Sequence, residues 1–175
     1  NQTEKLCSIA LSNNCRALKF LKDQTEQLCR LALQKNGSML QYVSLSVDTE
    51  ELCLLAVEQK GSALQHVRHQ TTEICLLAVQ NDGLALQFVI EKSEEICLAA
   101  VQQNGGALRY VDNKTNEICL LAVQQSGRAL EYVETQNDEI CLAAVRQNGY
   151  SLQFVENQTA AICLAAIQQD CYSLK

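Results

Sequence analysis

The chain contains no proline and no tryptophan, and its longest uninterrupted apolar run covers only residues 160–167. A membrane-spanning helix needs about 20 apolar residues, so the sequence predicts no transmembrane segment. No signal peptide is recognisable either. Proline breaks helices from within, and its absence favours a chain that is helical almost throughout.

Residues that usually form catalytic or metal sites are also scarce. There are only two histidines, His66 and His69, and the cysteines include no C-x-x-C pair. His66 occupies a position that is aromatic in most other copies of the repeat described below, so we interpret it as a packing residue. No glycine is followed by the Lys-Ser/Thr pair of a phosphate-binding loop. We therefore expect a protein that is not an enzyme, with no metal ion and no cofactor.

What the sequence contains is one short module, repeated eight times. In its clearest copy, residues 115–127, Thr115 is a suitable helix N-cap and Glu117 suits the positive end of the helix dipole. Gly127 is expected to end the helix in the left-handed conformation that glycine adopts most easily. Between these signals the apolar residues cover more than half of the helix circumference, so neighbouring helices must bury it.

A second, shorter segment follows each glycine. In residues 128–133 the apolar residues Ala129, Leu130 and Val133 predict a helix of about two turns that faces the first helix. The sequence thus predicts an all-α fold, a right- or left-handed α-solenoid of two-helix repeats of about 22 residues, in one array over 1–175. The predicted repeats are 3–24, 25–48, 49–70, 71–92, 93–114, 115–136, 137–158 and 159–175.

A leucine-rich-repeat-like solenoid is the alternative, since a period of 22 residues lies within its range. In that fold, one position of each module would face solvent on a strand. Here this position is always alanine, which suits close helix–helix contact instead. The alanines are Ala10, Ala32, Ala56, Ala78, Ala100, Ala122, Ala144 and Ala166.

Eight of the ten cysteines hold the same place in successive modules, and we call them the ladder cysteines: Cys7, Cys29, Cys53, Cys75, Cys97, Cys119, Cys141 and Cys163. Stacked helices lie about 8–10 Å apart, whereas a disulfide needs Cα atoms within about 7 Å. We therefore predict buried free thiols, which indicates a reducing, cytoplasm-like compartment.

The pattern [T/S]-x-E-[I/L]-C-L-x-A-V-x-x-N-G-x-A-L-x-x-V resembles the repeats of the domain-of-unknown-function family numbered 4116, best over residues 49–155. Cys15 and Cys171 depart from it at the glycine position. That family is found in bacteria that live inside eukaryotic cells and in some protists, often in effector-like proteins. The resemblance implies helical repeats and an effector setting, with delivery into a host cytosol, and it implies no functional residues.

These features favour a non-catalytic protein–protein interaction scaffold. Two alternatives stay open: the targeting arm of a larger enzyme whose catalytic domain lies outside this chain, and a structural spacer. The partner is expected to be another protein, because a net charge of −6 disfavours nucleic acid. The apolar surface of the last module also predicts end-to-end self-association, whereas polar Ser8 and Arg30 predict a capped N-terminal end.

The expected partner surface is the residue just after each turn, which varies while its neighbours do not; a solvated row without a binding role is the alternative. Arginine and tyrosine are enriched at binding hot spots, so the strongest candidates are Arg128, Tyr150 and Tyr172, followed by Arg16 and Leu84. The remaining members of this row are Ser38, Ser62 and Gly106.

Overall fold

The computed structural model describes residues 4–170, and this part of the chain contains helices and no strand. The prediction of an all-α fold is confirmed, and the leucine-rich-repeat alternative is excluded for these residues. The long helices are α1 (Glu4–Asn13), α2 (Glu26–Lys35), α3 (Glu50–Gln59), α4 (Thr72–Asn81), α5 (Glu94–Gln103), α6 (Asn116–Gln125), α7 (Asp138–Gln147) and α8 (Ala160–Gln169). The short helices are η1 (Cys15–Phe20), η2 (Gly37–Tyr42), η3 (Gly61–His66), η4 (Gly83–Phe88), η5 (Gly105–Tyr110), η6 (Gly127–Tyr132) and η7 (Gly149–Phe154).

Each long helix from α2 onward begins at the predicted N-cap. The hydroxyl of Thr115 accepts a hydrogen bond from the backbone N–H of Ile118 at 3.3 Å, which satisfies one of the unpaired donors of the first turn. The corresponding caps on the other long helices are Thr25, Thr49, Thr71, Ser93, Asn137 and Thr159.

In the first seven repeats the second helix differs from the prediction, because it is a six-residue 3₁₀ helix rather than two α-helical turns. Residues three apart share a face of a 3₁₀ helix, which explains why Leu130 and Val133 are both buried. The N–H of Val133 donates to the carbonyl of Leu130 at 3.1 Å, where the short helix ends.

The predicted left-handed glycines are wrong: none of the glycines in residues 4–170 has a positive φ. The residue before Gly127, Ser126, is extended with φ −150° and ψ 111°, and this residue turns the chain into the short helix. Glycine is needed for a different reason. A Cβ atom on Gly127 would lie 2.5 Å from the carbonyl oxygen of Ala144 in the next long helix.

The chain consists of two compact units, residues 1–90 and 91–175. Within each unit every long helix packs on the next long helix and every short helix on the next short helix, which is the arrangement of an α-solenoid. Among the described residues of either unit, no pair of helices from more distant repeats is in contact. Leucine, isoleucine, valine, cysteine and alanine fill the core, and the repeated alanines from Ala32 to Ala166 are fully buried.

The apolar side chains left exposed lie partly on the first and last long helices. Leu6 and Ile9 on α1 are 61% and 51% exposed, so the predicted polar cap at Ser8 does not cover this helix. Leu164 on α8 is 60% exposed, as the apolar pattern of the last module predicted. A different exposed residue, Leu45, lies in the turn that accommodates the two extra residues of the second repeat.

Candidate functional site on the short-helix face

Three positions of each short helix, the second, fifth and sixth, form an outward surface that we call the short-helix face. The second position is the variable row predicted from the sequence. Its backbone is held in the same way in most repeats, because an Asn or Asp side chain two residues earlier accepts a hydrogen bond from its N–H at 2.9–3.1 Å. This bond is made by Arg16, Ser38, Leu84, Gly106 and Tyr150. The backbone conformation therefore does not depend on which side chain occupies the row.

The structure places the predicted partner-binding residues in both units. Arg16 on η1 is exposed and Leu84 on η4 is half-buried, and both belong to residues 1–90. Arg128 and Tyr150 are exposed at the same position of consecutive short helices in residues 91–175. Tyr172 lies outside the described residues.

The fifth position differs among the seven described short helices, and in η1 and η6 it holds Lys19 and Glu131. In four short helices it is a glutamine whose Nε2 donates to the carbonyl of the second residue at 3.0–3.1 Å: Gln41, Gln65, Gln87 and Gln153. These side chains fold back on their own helix. In η5 the position holds Arg109, whose guanidinium instead lies 4.9 Å from the ring centroid of Tyr110 and 5.8 Å from that of Tyr132.

The sixth position is the aromatic row, half-buried from η2 to η7 and formed by Phe20, Tyr42, His66, Phe88, Tyr110, Tyr132 and Phe154. His66 takes its place in this row as predicted, and burial lowers the pKa of its imidazole. Within residues 4–170, no group of three or more His, Cys, Asp or Glu side chains is placed to hold a metal ion. None of the described helices is long and apolar enough to cross a membrane.

A second set of residues, not recognised from the sequence, joins the two helices of a repeat. We call them the clamp residues, and each directly precedes a long-helix N-cap. The Nε2 of Gln136 donates to the carbonyl of Phe154 at 2.8 Å, and its Oε1 accepts from the N–H of Glu156 at 3.1 Å. Gln24 and Gln70 make the same pair of bonds.

Where the clamp residue is charged, it pairs with the side chain twenty residues later. Lys114 Nζ lies 2.6 Å from Glu134 Oε1, and this hydrogen bond lowers the pKa of the Glu134 carboxyl. Lys92 pairs with Asp112 in the same way, and Asp48 pairs with Arg68 with the signs reversed. These opposite charges at a spacing of 20 are visible in the sequence once the repeats are aligned.

The ladder cysteines lie beneath the clamp residues. Seven of them, from Cys7 to Cys141, are buried, and the nine cysteines within residues 4–170 are free of disulfides. The thiol of Cys53 lies 3.4 Å from Asp48 Oδ1; burial, helped by that carboxylate, raises its pKa to about 12. Burial likewise raises the pKa of Cys29 to about 11. These thiols are therefore protonated, and poor nucleophiles, at neutral pH.

Five overlapping segments of the chain match the family model described as Domain of unknown function (DUF4116): residues 25–71, 49–93, 71–115, 93–136 and 116–158. Together they cover residues 25–158, well over half of the chain. The chain belongs to this family. Each DUF4116 match spans about two of the helical repeats described above, and together the matches cover the caps from Thr25 to Asn137 and the short helices from η2 to η7. No curated protein and no solved structure matches the chain.

Proposed function

We propose that this DUF4116 chain is a non-catalytic scaffold that binds another protein through its short-helix face. One observation supports this function above the others. The second position of the short helices holds arginine, serine, leucine, glycine or tyrosine, although its backbone makes the same hydrogen bond in most repeats. Packing does not dictate these side chains, whereas the adjacent buried positions are nearly uniform.

Helical repeat proteins bind partners through extended surfaces to which each repeat contributes a few residues. The aromatic row supplies half-buried rings beside the variable row, and arginine and tyrosine contribute most of the energy at many interfaces. Arg128 and Tyr150 lie at matching positions on consecutive short helices, so we propose them as the centre of the surface.

The test is affinity capture from a native lysate with a double variant, Arg128→Ala with Tyr150→Ala. Its matched control is Gln124→Ala with Arg146→Ala, which removes one arginine and one neutral polar side chain from exposed positions of α6 and α7. We expect the first variant to lose at least about tenfold of the captured partner, and the control to lose none. Equal capture of the partner by the wild type, the double variant and the control variant would refute the proposal.

We also propose that the protein works in a reducing compartment, as a bacterial effector or a part of one that is delivered into a host cytosol. The ladder cysteines support the reducing compartment, because all eight are free of disulfides and seven of them are buried. Alkylation of thiols at the moment of cell lysis, followed by mass spectrometry, should find the ladder cysteines reduced. Stoichiometric disulfides among them would contradict this proposal.

A further inference from the structure

The first long helix leaves uncovered a face that every later long helix buries. On α1, Leu6 is 61% exposed, whereas the leucine or isoleucine at its position is 0–4% exposed in α2 to α8. Ala10 is also exposed, although the alanines at its position from Ala32 to Ala166 are fully buried. The turn glycine of the preceding repeat approaches this alanine, as Gly127 approaches the carbonyl of Ala144. Leu6 and Ala10 therefore hold the positions that face a preceding repeat.

The last long helix leaves different positions uncovered. On α8, Leu164 is 60% exposed, and Cys163 and Ile167 are only half-buried. The other ladder cysteines are buried, and the residue at the position of Ile167 is 0% exposed in each of α1 to α7. Cys163, Leu164 and Ile167 therefore hold the positions that face a following repeat, so α1 and α8 expose the two opposite halves of the contact between long helices.

One ion pair shows which positions meet across that contact. Nη2 of Arg30 on α2 lies 3.0 Å from Oε2 of Glu51 on α3. In the repeat alignment Arg30 holds the position of Leu164, and Glu51 holds the position of Lys5. A helix packed on α8 in the same way as α3 packs on α2 would thus place a residue like Lys5 beside Leu164, and the aliphatic part of a lysine side chain can cover a leucine.

The cysteine at the turn of the last repeat is compatible with this contact. Cys171 replaces the turn glycine there and lies outside the described residues. Cys15 makes the same replacement in the first repeat, yet its helix η1 still packs on α2 and on η2. A cysteine at the turn therefore does not prevent a repeat from packing on the next one.

We propose that a second copy of this chain covers these faces, with α8 of one copy packed on α1 of the other as α2 packs on α3. The sequence predicted self-association through the last module and a capped N-terminal end; the uncovered α1 face supplies the matching half. Because the two faces differ, the contact is heterologous, and a pair of copies keeps one free α1 face and one free α8 face. This inference goes beyond the proposed scaffold function, and its test uses the purified chain without a partner protein.

Sedimentation velocity over about 1 μM to 1 mM tests the association, since this range covers the Kd of weak to moderate interfaces. The mass of the wild type should rise with concentration. Leu6→Glu and Leu164→Glu should each weaken association at least about tenfold, because each places a carboxylate in an apolar contact. The matched control is Leu45→Glu, which makes the same change at a turn residue that is 76% exposed, and it should associate like the wild type.

Mixing the two glutamate variants distinguishes a heterologous contact from a symmetric one. Leu6→Glu keeps an intact α8 face and Leu164→Glu keeps an intact α1 face, so the mixture should form a one-to-one dimer and nothing larger. This rescue also shows that both variants are folded. If Leu6→Glu associates like the wild type while Leu164→Glu does not, two α8 faces meet each other and the proposal is overturned.

The Arg30–Glu51 ion pair provides a second test, in which a new contact is added. Leu164→Arg should weaken association because it places a second cation beside Lys5, and adding Lys5→Glu should restore it through a charge-assisted pair. The proposal is overturned if the double variant associates no better than Leu164→Arg, or if Leu45→Glu weakens association as much as Leu164→Glu. It is also overturned if the wild type stays monomeric up to about 1 mM, since a different occupant would then cover these faces.

Discussion

The close approach between a short helix and the next long helix can be tested with one pair of substitutions, Gly127→Ala and Gly106→Ala. Both glycines lie in short helices and neither has a positive φ. An added Cβ therefore has the same effect on the local backbone at both positions. They differ only in what the Cβ meets.

At Gly127 the Cβ would lie 2.5 Å from the carbonyl oxygen of Ala144, 2.5 Å from the hydroxyl of Ser151 and 3.0 Å from Oε1 of Gln147. That same Oε1 accepts the N–H of Gly127 at 2.7 Å. Overpacking costs about 1–3 kcal/mol, and a weakened hydrogen bond adds about 1 kcal/mol. Alanine also lowers the entropy of the unfolded chain, which offsets about 0.4–1 kcal/mol of this destabilisation. We therefore expect Gly127→Ala to destabilise the protein by about 2–3 kcal/mol.

At Gly106 the nearest atom to the added Cβ is Oδ1 of Asn104 at 3.1 Å, the end of a side chain that can move. Only the entropy of the unfolded chain then remains, and Gly106→Ala should be neutral or stabilising by up to about 1 kcal/mol. Urea unfolding followed by circular dichroism measures both free energies. Equal stability of the two variants would contradict the close approach at Gly127. A Gly127→Asn variant as stable as the wild type would contradict it too, because only a left-handed glycine site tolerates asparagine.

Three further predictions concern the core, the ladder and the clamp. The hydroxyl of Ser151 is fully buried and has no hydrogen-bond partner among the described residues. Ser151→Ala should therefore raise the unfolding free energy by about 1 kcal/mol, whereas Ser62→Ala, at a half-buried position, should not change it. A loss of stability on Ser151→Ala would contradict the missing hydrogen bond. In the folded state the pKa of Cys53 is raised from 9.0 to about 12. The folded state therefore keeps its full stability below pH 9 and loses stability as the pH rises towards 12, because the unfolded chain releases the thiol proton first. Between pH 7 and pH 10 the wild type should lose about 1 kcal/mol more than Cys53→Ala in urea unfolding, and parallel losses would contradict this. Lys114→Glu should lower the unfolding midpoint by placing two carboxylates together, and adding Glu134→Lys should restore it; a double variant no better than the single one would exclude the pairing.

The long helices could be predicted from the sequence because their signals are local. A threonine hydroxyl such as that of Thr115 caps a helix through atoms three residues away, and the apolar arc that follows needs no knowledge of the partner helix. Burial of the alanines from Ala32 to Ala166 followed from the same pattern, because repetition indicates equivalent contacts between neighbouring repeats, whereas Ala10 on the first helix is exposed.

The role of the glycines could not be predicted this way, because it depends on the distance between two repeats. An Asn-Gly pair at the end of a helix usually indicates a left-handed residue. Here the asparagine caps the following short helix, as Asn104 does for Gly106, while glycine allows the next helix to approach. The same Asn-Gly sequence thus fits two different structures: a left-handed helix end, and an asparagine cap followed by a closely packed glycine.

The arginines and aromatic residues of the candidate site were found only in part. Variation after the turn singled out Arg128 and Tyr150, but nothing local distinguished Arg109 from the glutamines that share its position. Its contact with Tyr132, a residue of the next short helix, appears only when the repeats are packed together.

The clamp residues also determine where this chain can be divided without damage. A block that begins at a clamp residue, such as 92–113 or 114–135, contains both members of its ion pair, Lys92 with Asp112 or Lys114 with Glu134. A block that begins one residue later, at the N-cap, lacks its own clamp residue. It ends instead with the clamp residue of the next repeat, whose charged partner lies outside the block. Exchange of whole repeats that have different clamp residues therefore preserves the native ion pairs only in the first frame. Repeats with a glutamine clamp are freer, since Gln70 or Gln136 bonds to backbone atoms that any sequence supplies.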